Sequence, residues 1–449
     1  MTSDRSHTPD RLDRPFEDPL LYDLFPALAT KVEWALERTE RALAMVGDPH
    51  RRYASLHVGG TNGKGSVTTT LASVMRASGR RTGCYVSPHL VSFRERIRVD
   101  GEPIAEDALK EYASEIRAAV SAVELTFFEA ATLLAFHAFA REGVEVAALE
   151  VGLGGRLDST NVVTPEVSAV TNVAMDHADY LGDTLLEIAR EKAGIIEAGV
   201  PFVTTEVDPE VLGLFRRLAD EVGAPMHAVE SERLAEVTVA ADHTSFHMAT
   251  EAWGDLDVVT PLLGRHQARN AALAVAVCER LSGELRPTRD DLLRGVAAVR
   301  YRGRDEVRVI DGRTWLFDVA HNPAGVDSLV ETLESVELPT PRVALVGILG
   351  DKDWRAMLLP LLDRCTHLVL TQPPTAPTER RWSLDSVADW VDALEPVEGL
   401  RRPEVRAVDD FGSALAEAAG LAGTGTVLVT GSVHTVGGAM RLLGVPPTV

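Results

Sequence analysis

The chain has 449 residues, of which 45 are Lys or Arg and 67 are Asp or Glu, so its formal net charge is −22. This acidic balance argues against nucleic acid and anionic membrane surfaces as partners, and the length predicts two domains. The three cysteines, Cys84, Cys278 and Cys365, form no CxxC pattern and indicate neither a disulfide framework nor a zinc site, so we expect a cytoplasmic protein.

The N-terminal segment, residues 1–19, is polar, charged and proline-bearing. It lacks the apolar core of a signal peptide, so we predict a flexible arm. From Leu20 to Val46, apolar residues recur at helical spacing with charges between them. This pattern predicts a helix packed beside the first domain.

A glycine-rich segment joins a short apolar run to a helix-like run, Val67 to Ala77. Its residues are Gly60, Thr61, Asn62, Gly63, Lys64, Gly65 and Ser66. Glycines let backbone N–H groups approach phosphate oxygens, and the N-terminus of the following helix favours an anion. Lys64 supplies a positive charge, and the hydroxyl of Ser66 can hold Mg²⁺. The segment predicts a triphosphate-binding loop, although Gly65 separates the lysine from the hydroxyl that the strict motif places next to it.

Two segments follow the first helix. Thr82 to Val86 predicts a strand, which Pro88 ends, exposing Ser87 and His89. Phe93 to Val99 contains several charged side chains, and its pattern favours a solvated, charged strand.

The next helix and strand bring a carboxylate towards the loop. Leu125 to Phe139 predicts a helix that Thr126 caps and that charged residues make unsuitable as a membrane span. Val144 to Leu149 predicts a buried strand with Glu150 at its carboxyl end, where open parallel sheets bind ligands. A carboxylate beside a phosphate loop is well placed for Mg²⁺.

A further strand, Val167 to Val173, precedes Asp176 and His177. Opposite Glu150 and Ser66, His177 is a candidate third metal group.

The remainder of the first domain contains mixed signals. Thr184 to Ile195 predicts a helix in which Lys192 and its charged neighbours could equally be a surface cluster. Leu234 to Leu263 alternates apolar and polar residues and predicts small antiparallel strands on the flank. Gly264 to Asn270 begins an alanine-rich helix whose polar N-terminus is another anion-facing site.

We place the domain boundary near residue 300, which gives an ATP-binding domain at 20–299 and a smaller domain at 300–449. Strands and helices alternate in the second part, which predicts a parallel sheet. The predicted strands are Thr314 to Val319, Arg342 to Val346, His367 to Leu370 and Thr426 to Val429. Polar groups follow three of them, around Asp318, Lys352 and Ser432, and resemble one face of a site.

The sequence therefore predicts an α/β protein with two sheet domains. The first is a P-loop-type ATP-binding domain with a parallel sheet and a small antiparallel flank, and the second is Rossmann-like. No GxSxG motif, candidate Cys–His pair or zinc pattern is present, so a covalent enzyme nucleophile is not required. Phosphoryl transfer from ATP to a substrate carboxylate would give an acyl phosphate, from which an incoming amine could displace phosphate.

The order of these motifs resembles the folylpolyglutamate synthase family of the Mur ligase superfamily, some of whose members are also dihydrofolate synthases. The resemblance runs from about Leu20 nearly to the C-terminus. The motifs that carry it are residues 60–66, 87–90, 126–129, 150–161, 176–177 with 181–182, 190–194, 266–270, 318–323 and 351–353.

The resemblance implies roles around the nucleotide. Lys64 and the loop backbone would bind the ATP phosphates, Ser66 and Glu150 would hold one Mg²⁺, and His177 would help to hold a second. Lys192 matches the lysine that is carbamylated in this superfamily, so Lys64, Lys192 and His177 are the implied catalytic residues. The nucleotide contacts implied from the domain interface are Asn270, Arg304 and Asp318.

The resemblance also implies substrate contacts. Ser87, His321 and Ser432 match positions associated with the incoming glutamate. Phe128 and Asp158 lie where bifunctional members hold the pterin of dihydropteroate. The implied partners are therefore small molecules, L-glutamate with a folate or dihydropteroate, and we expect a monomer.

Two departures from the family pattern concern the second domain. Tyr301 and Arg302 stand where the family has Trp-Pro, so that Arg304 keeps its place in an altered turn. Val319 stands where the family usually has glycine, and we expect that this position does not require a positive φ angle.

Two other functions remain open at this stage. One is a Mur-type ligase that acts on a cell-wall precursor, and the other is a nucleotide-dependent binding or switch protein without ligase turnover. The Phe127–Phe128 pair argues against the cell-wall ligase, and the polar strand ends of the second domain argue against the switch protein.

Overall fold

The computed structural model describes Leu20, Leu24 and residues 35–394 and 402–446. The predicted arm at 1–19 and most of the first predicted helix lie outside the described residues. Within that helix, α1 (Glu37–Met45) is helical as predicted. None of the described helices is long and apolar enough to cross a membrane.

The first unit is built on an eight-stranded sheet with the order β4-β3-β2-β5-β1-β6-β7-β8. Its strands are β1 (Ala54–Gly59), β2 (Thr82–Tyr85), β3 (Ile97–Val99), β4 (Glu102–Pro103), β5 (Val146–Glu150), β6 (Val167–Val170), β7 (Phe202–Thr204) and β8 (Met226–Ala228). The sheet is parallel from β2 to β8, whereas β3 and β4 are antiparallel at one edge. Because β1 lies between β5 and β6, the residues that follow all three strands emerge side by side.

Helices cover both faces of this sheet. They are α2 (Lys64–Ala77), α3 (Glu106–Val123), α4 (Phe127–Arg141), α5 (Ala178–Leu181), α6 (Leu185–Lys192), α7 (Pro209–Val222), α8 (Arg265–Arg280) and α9 (Arg289–Ala297). The predicted cap of α4 is confirmed, because the Thr126 side chain accepts from the Glu129 N–H and the Glu129 carboxylate accepts from the Thr126 N–H. The alanine-rich helix α8 is buried along most of its length, as its small side chains predict.

The predicted antiparallel flank is also confirmed. It is a three-stranded sheet with the order β11-β10-β9. Its strands are β9 (Leu234–Val239), β10 (Thr244–Thr250) and β11 (Gly254–Thr260). Phe246, Met248, Leu256 and Val258 bury one face of this sheet in the same core as α8.

The second unit has a six-stranded sheet with the order β12-β13-β17-β14-β15-β16. Its strands are β12 (Glu306–Ile310), β13 (Arg313–Phe317), β14 (Arg342–Val346), β15 (His367–Leu370), β16 (Glu404–Ala407) and β17 (Thr426–Thr430). Its helices are α10 (Pro323–Ser335), α11 (Trp354–Leu358), α12 (Leu384–Ala393), α13 (Phe411–Ala422) and α14 (Val433–Leu442). The four predicted strands are present and parallel, and the two edge strands, antiparallel β12 and parallel β16, were not predicted.

The prediction of a solvated, charged strand at Phe93 to Val99 was wrong. The segment forms a 3-10 helix followed by β3, and Glu95, Arg96 and Arg98 are all buried. The Glu95 carboxylate accepts hydrogen bonds from the backbone N–H groups of residues 90–92, which stabilises the turn after Pro88. The Glu95 carboxylate therefore holds this turn in place, and the Arg96 side chain lies in the interior.

Candidate active site

The glycines of the phosphate loop are required by close packing. Gly60 and Gly63 have φ angles of 134° and 84°, which other residues rarely adopt. A Cβ atom at Gly60 would lie 1.9 Å from Thr171 Oγ1, and one at Gly63 would lie 2.3 Å from Asn270 Oδ1. The glycines therefore allow the loop its close-packed path from β1 to the N-terminus of α2, the end of a helix that favours an anion.

Gly65, which departs from the strict motif, lies beneath an aromatic ring. A Cβ atom there would be 2.2 Å from the hydroxyl oxygen of Tyr301. The guanidinium of Arg304 stacks 4.7 Å from the centre of the Tyr301 ring, and its Nη2 donates to the Tyr301 hydroxyl at 3.3 Å. Tyr301, one of the two family departures, thus connects the loop to Arg304.

Lys64, Ser66 and Glu150 line the same cavity. Lys64 Nζ donates to the carbonyl oxygens of Gly60 at 3.2 Å and Thr61 at 3.1 Å. The Ser66 hydroxyl is buried, and none of the described residues hydrogen-bonds to it. Burial raises the pKa of Glu150, while the Lys64 charge and the N–H of Ser87 oppose that rise.

These residues fit a magnesium ion that keeps most of its waters. The buried Ser66 hydroxyl, to which none of the described residues hydrogen-bonds, and the buried Glu150 carboxylate line one cavity and offer two hard oxygen ligands. Among the described residues, no group of three or more His, Cys, Asp or Glu side chains is arranged to hold a metal ion. The remaining ligands would therefore be phosphate oxygens and water.

Lys192, at the end of α6, and His177, just before α5, both line the cavity. Lys192 is 4% exposed, and its Nζ donates to the Gly60 carbonyl oxygen at 2.8 Å. The surface alternative for Lys192 was therefore wrong. Burial and the Lys64 charge lower the pKa of Lys192 to about 7. His177 has a left-handed backbone (φ 52°), and partial burial lowers its pKa to about 4, which leaves a neutral imidazole able to bind a metal.

The nucleotide residues implied from the domain interface also line the cavity. Asn270 lies against Gly63, and Arg304 stacks on Tyr301. The Asp318 carboxylate accepts from the backbone N–H groups of Asp305 at 2.9 Å and Ala320 at 2.8 Å. Burial raises the pKa values of both Asp305 and Asp318, and the pKa of Asp305 is raised further by the neighbouring Asp318 charge.

The implied glutamate residues come from both units of the molecule. Ser87, His321 and Ser432 all line it. The Ser432 hydroxyl donates to the Gly347 carbonyl oxygen at 2.9 Å and accepts from the N–H of Thr435 as the cap of α14. Ser432 therefore shapes the helix N-terminus as well as facing the cavity.

Sequence reasoning gave Arg96 no role in the site and placed it on a solvated strand. Arg96 is buried and lines the cavity, and its Nε donates to His89 Nδ1 at 2.8 Å. This places a guanidinium close to Ser87, where an anionic substrate group would be attracted. The hydrogen bond and burial leave His89 neutral, since burial first and the Arg96 charge second hold its pKa well below the usual value.

The two implied pterin residues are placed differently from the others. Phe128 lies over Gly152, where a Cβ atom would be 2.1 Å from the ring, and Phe127 rather than Phe128 lines the cavity. The Asp158 carboxylate accepts from the backbone N–H groups of Leu153 at 2.9 Å and Thr160 at 3.0 Å. Both residues shape the loop after β5.

Val319 follows the expectation from sequence. It is absent from the described residues with positive φ angles, and its N–H donates to the Gly303 carbonyl oxygen at 3.1 Å. The β-branched side chain at this position is therefore accommodated without backbone strain.

The residues implied for the nucleotide, the metal and glutamate, together with Lys192, face one cavity of about 970 Å³, whereas Phe128 and Asp158 do not line it. It runs between the strand ends of the two sheets, from the phosphate loop to the N-terminus of α14. A volume of this size is at the upper end of those that enclose small-molecule ligands. The arrangement can hold a nucleotide at one end and an anionic substrate at the other.

Comparisons with known proteins follow the same two-part division. Residues 58–278 match the family model of the Mur ligase middle domain, and residues 303–433 match that of the Mur ligase glutamate ligase domain. A dihydrofolate synthase/folylpolyglutamate synthase of Mycobacterium tuberculosis is 34% identical over 93% of this chain and 92% of that protein. A probable bifunctional folylpolyglutamate synthase/dihydropteroate synthase of Haloferax volcanii is 37% identical over 75% of this chain, which spans 40% of that protein's length.

A solved structure supports the same relationship. The folylpolyglutamate synthase of Mycobacterium tuberculosis complexed with ADP superposes with a TM-score of 0.83 and 32% identity. The match covers 95% of this chain and 97% of that chain. The predicted fold class is thereby confirmed over nearly the whole molecule.

Proposed function

The chain belongs to the folylpolyglutamate synthase and dihydrofolate synthase family of Mur ligases, and from this premise we propose that it joins L-glutamate to the carboxylate of a folate. The reaction consumes ATP with Mg²⁺ and forms ADP. The observation that carries this proposal is that the phosphate loop and the strand ends of the glutamate ligase domain line one cavity. A nucleotide-dependent switch would not need the polar groups at the strand ends of the glutamate ligase domain.

The first step assigned to these residues is phosphoryl transfer. The loop N–H groups and Lys64 bind the ATP phosphates, and a folate carboxylate oxygen attacks the γ-phosphorus while the bond to ADP breaks. Ser66 and Glu150 would hold Mg²⁺, which would neutralise charge on the phosphate oxygens. The product is an acyl phosphate, held between the two domains and away from water.

The second step joins the amino acid. The uncharged amine of glutamate attacks the acyl carbon, the carbon–oxygen bond breaks, phosphate leaves and the amine loses a proton. We assign Ser87, His321 and Ser432 to the glutamate side, and Arg96 adds the positive charge that a carboxylate needs. The residues act by positioning and charge neutralisation.

We also propose that Lys192 is carbamylated. Its uncharged amine would attack carbon dioxide, forming a nitrogen–carbon bond and releasing a proton, to give an anionic group beside the loop. A pKa of about 7 supplies the uncharged amine at neutral pH, and Lys64 supplies a nearby positive charge. An intact-mass spectrum of the native protein without the added mass of one carbon dioxide, under bicarbonate, would contradict this modification.

Dihydropteroate is proposed as an additional acceptor. The name of the Mycobacterium tuberculosis relative includes dihydrofolate synthase, and the match extends over 93% of this chain. Phe128 and Asp158 would act here through the shape of the Gly152 to Thr160 loop. We further propose a cytoplasmic monomer, which size-exclusion chromatography with light scattering would test.

The test is phosphate release from ATP with Mg²⁺ and L-glutamate, with products identified by mass. One series supplies 7,8-dihydropteroate and another supplies a reduced folate monoglutamate. Turnover with both would support a bifunctional enzyme, and turnover with the folate alone would restrict the proposal to polyglutamate synthesis. Turnover with neither would contradict the proposal and favour a cell-wall precursor or a switch function.

A further inference from the structure

The Asp176 side chain joins the two units of the molecule. Asp176 follows β6 of the first sheet, and its carboxylate is 8% exposed. Its Oδ1 lies 2.6 Å from Lys352 Nζ, and its Oδ2 accepts from Asn322 Nδ2 at 3.1 Å. His321 Nε2 lies 3.5 Å from the same Oδ2 atom. All three partners follow strands of the second sheet, so one carboxylate holds two of its strand ends.

Asn322 extends this contact into the phosphate loop. Its Nδ2 also donates to Asn62 Oδ1 at 3.0 Å, and Asn62 Nδ2 donates back to Asn322 Oδ1 at 3.3 Å. The orientation of the Asn322 amide is fixed because its Oδ1 caps α10 by accepting from the Gly325 N–H at 2.8 Å. Both N–H hydrogens of the Asn322 side-chain amide therefore donate to residues of the first unit.

The Lys352 ammonium forms an ion pair with Asp176 in the same cluster. Its side chain is 10% exposed and lines the cavity, and Asp176 is its ion-pair partner. Burial alone would raise the pKa of Asp176, but the hydrogen bond and charge of His321 and the charge of Lys352 outweigh it and lower that pKa. At 2.6 Å from Lys352 Nζ, the carboxylate balances the lysine charge within the contact between the units.

We propose that Asp176 is a positioning residue that, through Lys352 and Asn322, holds the strand ends of the second sheet in register with the phosphate loop. This inference rests on the proposed ligase function, since it explains how the acyl phosphate and the glutamate amine are brought together. Nucleotide binding depends mainly on the loop itself. Loss of Asp176 or Lys352 should therefore affect ligation much more than nucleotide affinity.

The kinetic test uses Asp176→Asn, Lys352→Met and the double variant. A misplaced reacting group can reduce the rate about 100-fold, so we expect each single variant to lower kcat by about 10- to 100-fold and to raise KM for glutamate. ADP affinity should change by no more than about twofold. Because both singles break the same contact, the double variant should be little worse than either. Lys110→Met is the matched control, since Lys110 pairs with Glu106 on the surface of α3 at 2.7 Å.

A distance measurement separates this inference from the ligase proposal. Spin labels at Glu221→Cys in α7 and Ala416→Cys in α13, which are both exposed, report the distance between the units. We expect a narrow distribution in the parent protein and a broader one with Asp176→Asn. An unchanged distribution, or single variants with kcat and KM within about twofold of the parent, would overturn the positioning role. Absence of ligation in the parent would overturn the ligase proposal, and the distance distribution would then decide the positioning role alone.

Discussion

Lys192 Nζ lies 2.8 Å from the Gly60 carbonyl oxygen, so a buried amine from α6 contacts the first residue of the phosphate loop. The two residues are 132 positions apart in the chain. Their contact requires β1 and β6 to be neighbours, because the loop after one and the helix after the other then meet at the same sheet edge. Among the residues that the structure describes, no carboxylate accepts a hydrogen bond from this amine, and its pKa is lowered to about 7 by burial and by Lys64.

The first prediction concerns Lys192→Met. We expect turnover to fall about 100-fold or more, because a charged group near the phosphates is lost, while the variant remains folded. In the wild type, the unfolded lysine retains its proton up to about pH 10, whereas the folded one loses it above about pH 7. Stability should therefore rise with pH between these values, and the methionine variant should lack this rise. The denaturant midpoints of both proteins at pH 7 and pH 9, in carbon dioxide-free buffer, measure this rise in stability. An equal change of midpoint with pH in the two proteins would contradict the prediction.

The second prediction concerns Ser66→Ala. Since the Ser66 hydroxyl is buried and has no hydrogen-bond partner in the described part of the chain, its removal should leave the free energy of unfolding unchanged or slightly higher. The apparent Mg²⁺ affinity in the ATP reaction should weaken by about 10- to 100-fold, from a titration of activity with Mg²⁺. Thr70→Val is the control, because the Thr70 hydroxyl donates to the Ser66 carbonyl oxygen at 2.7 Å within α2. That variant should lose about 1 kcal/mol of stability and keep its Mg²⁺ dependence.

The third prediction concerns Gly65→Ala. The added methyl would displace the Tyr301 ring and, with it, Arg304. We expect a loss of about 1–3 kcal/mol in the free energy of unfolding and weaker ADP binding by calorimetry. Gly420→Ala in α13 is the control, since a Cβ atom there has nothing within 4 Å, and it should stabilise the protein by up to about 1 kcal/mol. Wild-type ADP affinity in Gly65→Ala would show that the Tyr301 contact does not support the loop.

Local chemistry made much of this site predictable. The phosphate loop has glycines at 60 and 63 because the backbone conformation requires them, and Glu150 ends a strand whose other residues are apolar, a pattern typical of a buried strand. Such signals lie within a few residues of each other in the chain. They identify the nucleotide half of the site without any knowledge of what packs against it.

The contacts between the two units could not be predicted in this way. Asp176 and Lys352 are 176 positions apart, and neither segment contains a pattern that names the other as its partner. Arg96 was misjudged for a related reason, because its charged segment looks solvated until His89 of the Pro88 turn and the rings of Phe93 and Phe127 pack against the guanidinium. The edge strands β12 and β16 were missed since their charged side chains are typical of exposed segments.

The last prediction concerns the buried carboxyl pair, Asp305 and Asp318. Burial, and then the Asp318 charge, raise the pKa of Asp305 well above its usual value, so the folded state holds a proton there that the unfolded state has lost. Stability should therefore fall as pH rises from about 4 through this raised pKa. Asp305→Asn can keep the hydrogen bond from the Thr332 hydroxyl and tolerates the left-handed backbone (φ 47°). We expect it to be more stable than the wild type by about 1–2 kcal/mol at pH 8 and to show a flatter pH dependence. Asp311→Asn is the control, because Asp311 has the same backbone conformation (φ 50°) and an exposed side chain, and it should change neither the stability nor its pH dependence. If Asp305→Asn keeps the steep pH dependence of stability seen in the wild type, the titration belongs to another group.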